Sequence, residues 1–360
     1  GAYNDITPIR NTTSAGDVTF SASDTTLSAA VTSTSATIIA ITDATGFPIA
    51  GKVLIGSEIV DYTGVTNDTL TGCTRGASKL IENVSTSTTA ATHSLGAAVT
   101  CFTILVTDTI HAATESDFVT FSGAVSLGGN FTADVLNQNY QVVSVETLST
   151  YTILAKSFSD TSLKFTNVVS TSSDSGNGGS NVVGAYELST TATSSSSLTG
   201  WGSGGWSAGP FGSGEASTEV LRLWSQQNFG EDLIFGPRNG DLFYWDASVE
   251  GSLNVRAVNL TTLTGASDVP TAQNFILISD INRFVFCFGT NEIGSPTVNP
   301  MHIRWSAQES AVNWTPAATN QAGFLTLSRG TEIVTAAQAR QEVLVWTNSS
   351  LYSLQYVGAG

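Results

Sequence analysis

Apolar residues in this chain recur at alternate positions or in short runs, broken every few residues by Gly, Asn, Asp or Ser. No stretch sustains a 3.6-residue apolar period, so helix signals are nearly absent. "ATIIAI" (36–41), "KVLIG" (52–56), "EIVDYTG" (58–64), "VTCFTILVT" (99–107), "DFVTFSG" (117–123), "YQVVSV" (140–145) and "TYTILA" (150–155) read as strands. The one modest helix candidate is "TAAQARQEVL" (335–344), and its apolar end reads better as a strand.

Past residue 218 the pattern changes to longer hairpins rich in aromatics. "EDLIFGPRNGDLFYWD" (231–246) is strand, turn, strand, and its Asn239-Gly240 is the strongest short hairpin signal. "NFILISDINRFVFCFG" (274–289) and "EVLVWTNSSLYSLQYVG" (342–358) share the plan, and "MHIRWSA" (301–307) reads as a further strand. Such hairpins, roughly 40–50 residues apart, suggest β-propeller blades. There is room for about three, and a closed propeller needs at least four. The fold class expected is therefore all-β: a partial β-propeller with inserted small β-sandwich or barrel-like domains.

The organisation expected has five parts. Residues 1–27 are an N-terminal strand and Pro-containing turn belonging to the propeller. Residues 28–104 are an inserted β module with the signature "IGSEIVDYTGVTNDTLTGCTRG", turning at Asn67-Asp68. Residues 105–192 are a second inserted β module. Residues 193–217 are a Gly/Ser/Trp linker, and residues 218–360 are propeller blades. Ser/Gly-rich chain is normally flexible. This linker carries Trp201, Trp206 and Phe211 at intervals of five, so it is expected to be pinned on a surface and to contribute inter-subunit contacts.

Composition sharpens the picture. Hydrophobic residues make up 41% of the 360, enough for a buried core, and only 12% are charged. That is about half the globular norm, and Ser and Thr fill the polar positions, a profile common in β-rich extracellular and virion proteins. The net charge of −16 repels nucleic-acid phosphates and anionic membranes. All four lysines lie in the first 164 residues, and every later basic residue is Arg. The three cysteines, Cys73, Cys101 and Cys287, have no CxxC spacing, so neither zinc nor a disulfide framework is indicated. Reduced thiols assembled in a cytosol fit best, although Cys73 and Cys101 could meet within one small β module. No apolar run is long enough to span a membrane. The opening "GAYNDITPIR" lacks an initiator Met, which suggests a processed chain or part of a longer protein.

Candidate chemistry is sparse. His93, His111 and His302 do not sit in a nucleophile-elbow motif and read as structural. Glu231 and Asp232 are adjacent; on a strand they face opposite ways and cannot form a glycosidase pair. They are expected in structural ion pairs with Arg222 or Arg238. "GWGSGGWSAG" lacks the Lys-Ser/Thr of a phosphate loop. "SSDSGNGGSN" (172–181) has Asp174 as its only carboxylate, too few for a calcium loop. No basic stripe for nucleic acid exists. An acidic wall does suit a conduit, because repulsion keeps sliding phosphates from sticking. No catalytic residue, cofactor or metal is expected.

"YNDITPIR" (3–10), "SDFVTFSGA" (116–124) followed by "YQVVSV" and "TYTILA", "GWGSGGWSAGPFGSG" (200–214), "LRLWSQQNFGEDLIFGPRNGDLFYWDAS" (221–248) and "IRWSAQESAVNWTP" (303–316) occur together and in this order. Together they resemble the tail nozzle or hub proteins of short-tailed bacteriophages, the tail tubular protein B-like or head-completion stabilisation family. "EIVDYTGVTNDTLTGCTRGA" resembles small β domains of many phage tail proteins. The resemblance implies a propeller hub with inserted β domains in a homohexameric ring at the distal end of the DNA channel. It also implies a tail adaptor on the portal side, fibres or spikes outside, and double-stranded DNA passing without sequence-specific binding. The setting it implies is the virion tail, assembled in the host cytoplasm. The family offers no catalytic residues to carry over, and this chain departs from it in lacking later blades. Two rivals compete with this reading: a host-glycan-binding tail fibre or adhesin propeller, and a depolymerase on the same scaffold.

Overall fold

The computed structural model describes residues 5–77, 87–109, 111–159, 164–190, 223–248, 255–279 and 282–357. The protein is all-β, built of small antiparallel sheets. It divides into two compact units, residues 10–188 and residues 189–360 together with 1–9.

In the first unit, β1 (Ile9–Thr12) and β2 (Thr19–Ser21) precede a small module of β3 (Asp24–Thr26), β4 (Ile38–Ala40), β5 (Gly51–Ile55), β6 (Glu58–Tyr62), β7 (Gly64–Val65), β8 (Thr69–Thr71) and β9 (Ala98–Cys101). These strands form two sheets, ordered β3-β9-β5-β6 and β4-β8-β7. Alternation explains the packing. Val53 and Ile55 on β5 and Val60 and Tyr62 on β6 turn inward against Leu27, Ile39, Leu70 and Val99. Full burial of each such side chain contributes about 1.5–3 kcal/mol. Asn67 and Asp68 both take positive φ, 45° and 54°, and make the expected turn between β7 and β8.

The remainder of this unit carries β10 (Thr103–Thr107), β11 (Phe118–Ser122), the short helix α1 (Ala133–Leu136) capped by Thr132, β12 (Asn139–Thr147), β13 (Thr150–Leu154), β14 (Lys156–Ser159), β15 (Lys164–Asn167) and β16 (Val183–Glu187). One seven-stranded sheet runs β1-β16-β11-β12-β13-β10-β2, while β14 and β15 pair as a separate hairpin. The sheet curls over an aromatic core, so that Phe20 on edge strand β2 meets Phe121 on β11 edge to face at 5.0 Å. Two buried tyrosine hydroxyls are satisfied internally: Tyr151 shares a 2.8 Å hydrogen bond with Tyr186, which donates to Asp108 at 2.7 Å.

Two expected boundaries shift. Residues 10–27 do not belong with the hairpins of the second unit, because β1 pairs with β16, β2 with β10, and β3 with β9. Only residues 5–9 join the second unit, where Asp5 pairs with Arg256 at 2.6 Å and Ile6 accepts a hydrogen bond from Ala257. The small module likewise runs from β3 to β9, and Thr103 already belongs to the next sheet. Cys73 and Cys101 are both buried and unpaired, so the possible disulfide is absent.

Among its described residues the second unit stacks three meanders. The first is β17 (Trp224–Phe229), β18 (Asp232–Pro237), β19 (Phe243–Trp245) and β20 (Val258–Asn259). The second is β21 (Phe275–Ile278), β22 (Val285–Phe288), β23 (His302–Trp305) and β24 (Gly323–Thr326), and the third β25 (Ile333–Gln338), β26 (Glu342–Thr347) and β27 (Leu351–Gln355). In each meander spatial order follows chain order. The sheets pack face to face, and β21 shows how. Its Ile276 and Ile278 bury against Ile234, Leu242 and Leu260 of the first meander, while Leu277 faces Ile333, Val343 and Val345 of the third. The first strands of successive meanders lie side by side: Ser225 and Gln227 on β17 accept hydrogen bonds from the amides of Ile276 and Ile278 on β21. The segment read as a modest helix candidate is strand, β25 running into β26.

Candidate functional site

A buried group of charged side chains lies in the small module and centres on Glu58. A two-residue turn, with Gly56 at φ 62°, joins β5 to β6 and sets Glu58 opposite Ile55. Its carboxylate is completely buried. Oε1 accepts from Arg75 Nε at 2.7 Å and from the amide of Gly76 at 3.0 Å. Oε2 accepts from Arg75 Nη2 at 2.7 Å, the amide of Ala91 at 2.9 Å and His93 Nε2 at 2.7 Å. A carboxylate only accepts, so His93 carries a proton on Nε2. Arg75 also donates to the carbonyls of Ser33 and Ala91, at 2.7 and 2.5 Å. Burial alone would raise the Glu58 pKa. The bonds from Arg75, Ala91, His93 and Gly76 outweigh it and hold the group at about 2.

This hub is chemically closed. Both oxygens are saturated with donors, and the side chains of Arg75 and His93 are only 4% and 9% exposed. No position remains for a substrate or an attacking water. It instead ties the 33, 75–76 and 91–93 segments to one point. Sequence reading missed the hub because its members are 17 and 18 residues apart. The available signal was a carboxylate opening the otherwise apolar "EIVDY" and an Arg directly before Gly76.

The other expected site residues are scattered. Glu231 is not on a strand: Gly230 (φ 73°) and Glu231 form the two-residue turn between β17 and β18, and Glu231 is exposed. Asp232 begins β18, and its partners are the Tyr244 hydroxyl and the amide of Ala247 at 3.0 Å. Arg238 is exposed, and its backbone donates to Leu223 at 2.8 Å. Among the described residues neither acid forms the expected ion pair with Arg238, because the Gly230-Glu231 turn and the Asn239 turn (φ 60°) lie at opposite ends of β18. Arg222, Trp201, Trp206 and Phe211 fall outside the described residues.

The remaining candidates are structural. Asp174 ties its own loop to the 129–131 segment, accepting from the amides of Gly129, Asn130, Phe131 and Thr171 at 2.9–3.1 Å. His111 is buried against Tyr151, and His302 Nδ1 bonds Thr326 Oγ1 at 2.7 Å. Arg304, 1% exposed, donates to the backbone carbonyls of Asn291 and Asp268, and burial lowers its pKa. Among the described residues no group of His, Cys, Asp or Glu has the arrangement of a metal site, and no helix is long and apolar enough to cross a membrane.

What the molecule presents outward is apolar surface on strands. Phe118 on β11 and Val143 and Val145 on β12 are 41%, 48% and 37% exposed, and the irregular pairing of β12 with β13 sets Val145 opposite Tyr151. The β14–β15 hairpin projects Phe158 against Phe165, with the Lys156 ammonium 4.7 Å from the Phe165 ring. Comparison with protein-family models and with curated proteins gave no match.

Proposed function

We propose that this chain is a structural protein of a short bacteriophage tail, the nozzle or hub whose copies form a ring that prolongs the DNA channel. In this reading it retains the genome before infection and lets DNA pass at ejection. The observation that carries the proposal is the meander stack of the second unit. Three consecutive antiparallel meanders, packed face to face with their first strands adjacent, support reading this unit as propeller blades. Two of the segments whose sequence resembles the tail-hub family, 221–248 and 303–316, contribute strands to these meanders.

Two further features support it. The acidic balance, −16 over 360 residues, suits a wall that DNA slides past. The exposed side chains of Phe118, Val143 and Val145 offer apolar contact area of the kind a ring protomer needs, and obligate interfaces of this sort are large and apolar. The tail adaptor, the fibres or spikes and the passing duplex are the partners this role requires. No catalytic step is part of it, and the Glu58 hub serves as a fastening.

Mass photometry of the full chain at micromolar concentration tests the reading. A homohexamer gives a particle of about 224 kDa, six times the 37.4 kDa chain. A monodisperse monomer contradicts it.

A further inference from the structure

The second and third meanders are closely packed over most of their shared face, but they part at one end. There Ser279 and Asn282, the turn between β25 and β26 and the end of β27 surround a cleft of about 460 Å³. A smaller space of about 150 Å³ adjoins it and shares Phe284, Phe286 and Tyr356. Clefts of roughly 300–1,000 Å³ are the size that holds small ligands.

One wall is a row of aromatic rings. Tyr356 lies 5.2 Å from Phe284, Phe284 lies 6.1 Å from Phe286, and Phe286 lies 6.3 Å from Trp305, each between ring centroids. Trp305 is fixed in this row, because its Nε1 donates to the carbonyl of Gln321 at 2.7 Å. The other wall is polar and nearly neutral, with Gln338, Gln341, Gln355 and Asn282 beside a single carboxylate, Glu342. Gln338 is the telling residue. Its amide nitrogen is committed to the carbonyls of Ala339 and Glu342 at 2.7 and 3.4 Å. Its Oε1 is buried without any hydrogen-bond partner. An acceptor left so costs about 1–3 kcal/mol, and because the atom is buried a ligand donor recovers this only when the Gln338 side chain turns toward the cleft.

We propose that this cleft binds a neutral oligosaccharide. The chemistry of the two walls selects that class. A sugar ring presents a flat face of C–H groups, which stacks on aromatic rings, and a rim of hydroxyls, each both donor and acceptor. Side-chain amides and a carboxylate are the partners such a rim needs. The lone fixed charge is negative, which disfavours phosphates and other anions. The line of amides disfavours a lipid tail. A peptide strand would instead add to the edge of β27, an outcome that the test below distinguishes. The site goes beyond the ring role and exists in the single chain, so it stands or falls independently of assembly.

An array of neutral and amino-sugar oligosaccharides, probed with the intact chain and followed by titration of retained glycans using saturation-transfer NMR, tests it. At least one glycan is expected to bind saturably, with a Kd of about 0.1–1 mM. Tyr356→Ala, whose side chain is 42% exposed and contributes little to the core, should weaken binding about 10-fold with an unchanged circular dichroism spectrum. Gln338→Leu removes the orphaned acceptor. It should weaken binding similarly, read on protein whose circular dichroism spectrum matches the parent because the change also removes the two bonds from Nε2. Retention of no glycan, equal binding by parent and Tyr356→Ala, or selection of peptides from a random library at this cleft in place of glycans would each overturn the proposal.

Discussion

Glu58→Gln is the perturbation whose cost can be worked most fully from the structure. The substitution keeps the shape of the side chain and removes its charge. All five groups that face the carboxylate are donors. A glutamine offers one acceptor oxygen and turns an N–H₂ toward the rest. Arg75 would remain charged, buried and half unpaired. The fall of the Glu58 pKa from 4.5 to about 2 corresponds to about 3 kcal/mol, at roughly 1.4 kcal/mol per unit. The stranded guanidinium brings the expected loss to about 3–5 kcal/mol. The pH dependence has a definite sign. A carboxylate whose folded pKa lies below its unfolded value stabilises fully above about pH 4.5, and that contribution is lost as pH falls toward 2. Parent and variant should therefore differ most near neutrality and converge in acid. The sequence supplies an internal control: all seven tryptophans, from Trp201 to Trp346, lie in the second unit. Urea unfolding followed by far-UV circular dichroism, and amide exchange at Gly76 and Ala91, should show the first unit weakened, while the tryptophan-detected transition stays within about 0.5 kcal/mol. A loss below about 1 kcal/mol, or an equal shift of the tryptophan transition, would refute the reasoning.

Other predictions concern the loops, the thiols and the surface. Asp174→Asn turns a donor toward a ring of backbone donors and should cost about 2–3 kcal/mol in a thermal melt, whereas a chelator should leave the parent melt unchanged. Burial pushes the Cys73 thiol up to about 11 and raises Cys101 and Cys287 as well. None of the three should react with a thiol reagent in native protein at pH 8, and all should react in denaturant. Val143→Glu with Val145→Glu places charge on exposed strand positions, so it should block assembly in mass photometry while the monomer's circular dichroism spectrum is kept.

Local rules made much of the strand architecture legible. Asn239-Gly240 and Asn67-Asp68 mark turns because few residues tolerate positive φ. The alternation of "EVLVWT" places Val343, Val345 and Thr347 on the inner face of β26. The failures are non-local. The pairing of β1 with β16 and of β2 with β10 joins residues far apart in sequence, and no local pattern encodes it. Glu231 was misplaced because Gly230 starts a turn one residue earlier than the apolar run suggests. The Glu58 hub and the aromatic cleft each draw on several separate segments, and only the fold brings those together.

The central claim is a ring with a channel, and end-on electron-microscopy class averages of the assembled chain test it most directly. The account predicts six-fold averages with an open centre wide enough for a DNA duplex. Averages showing a compact trimer or a lone protomer without a channel would contradict it.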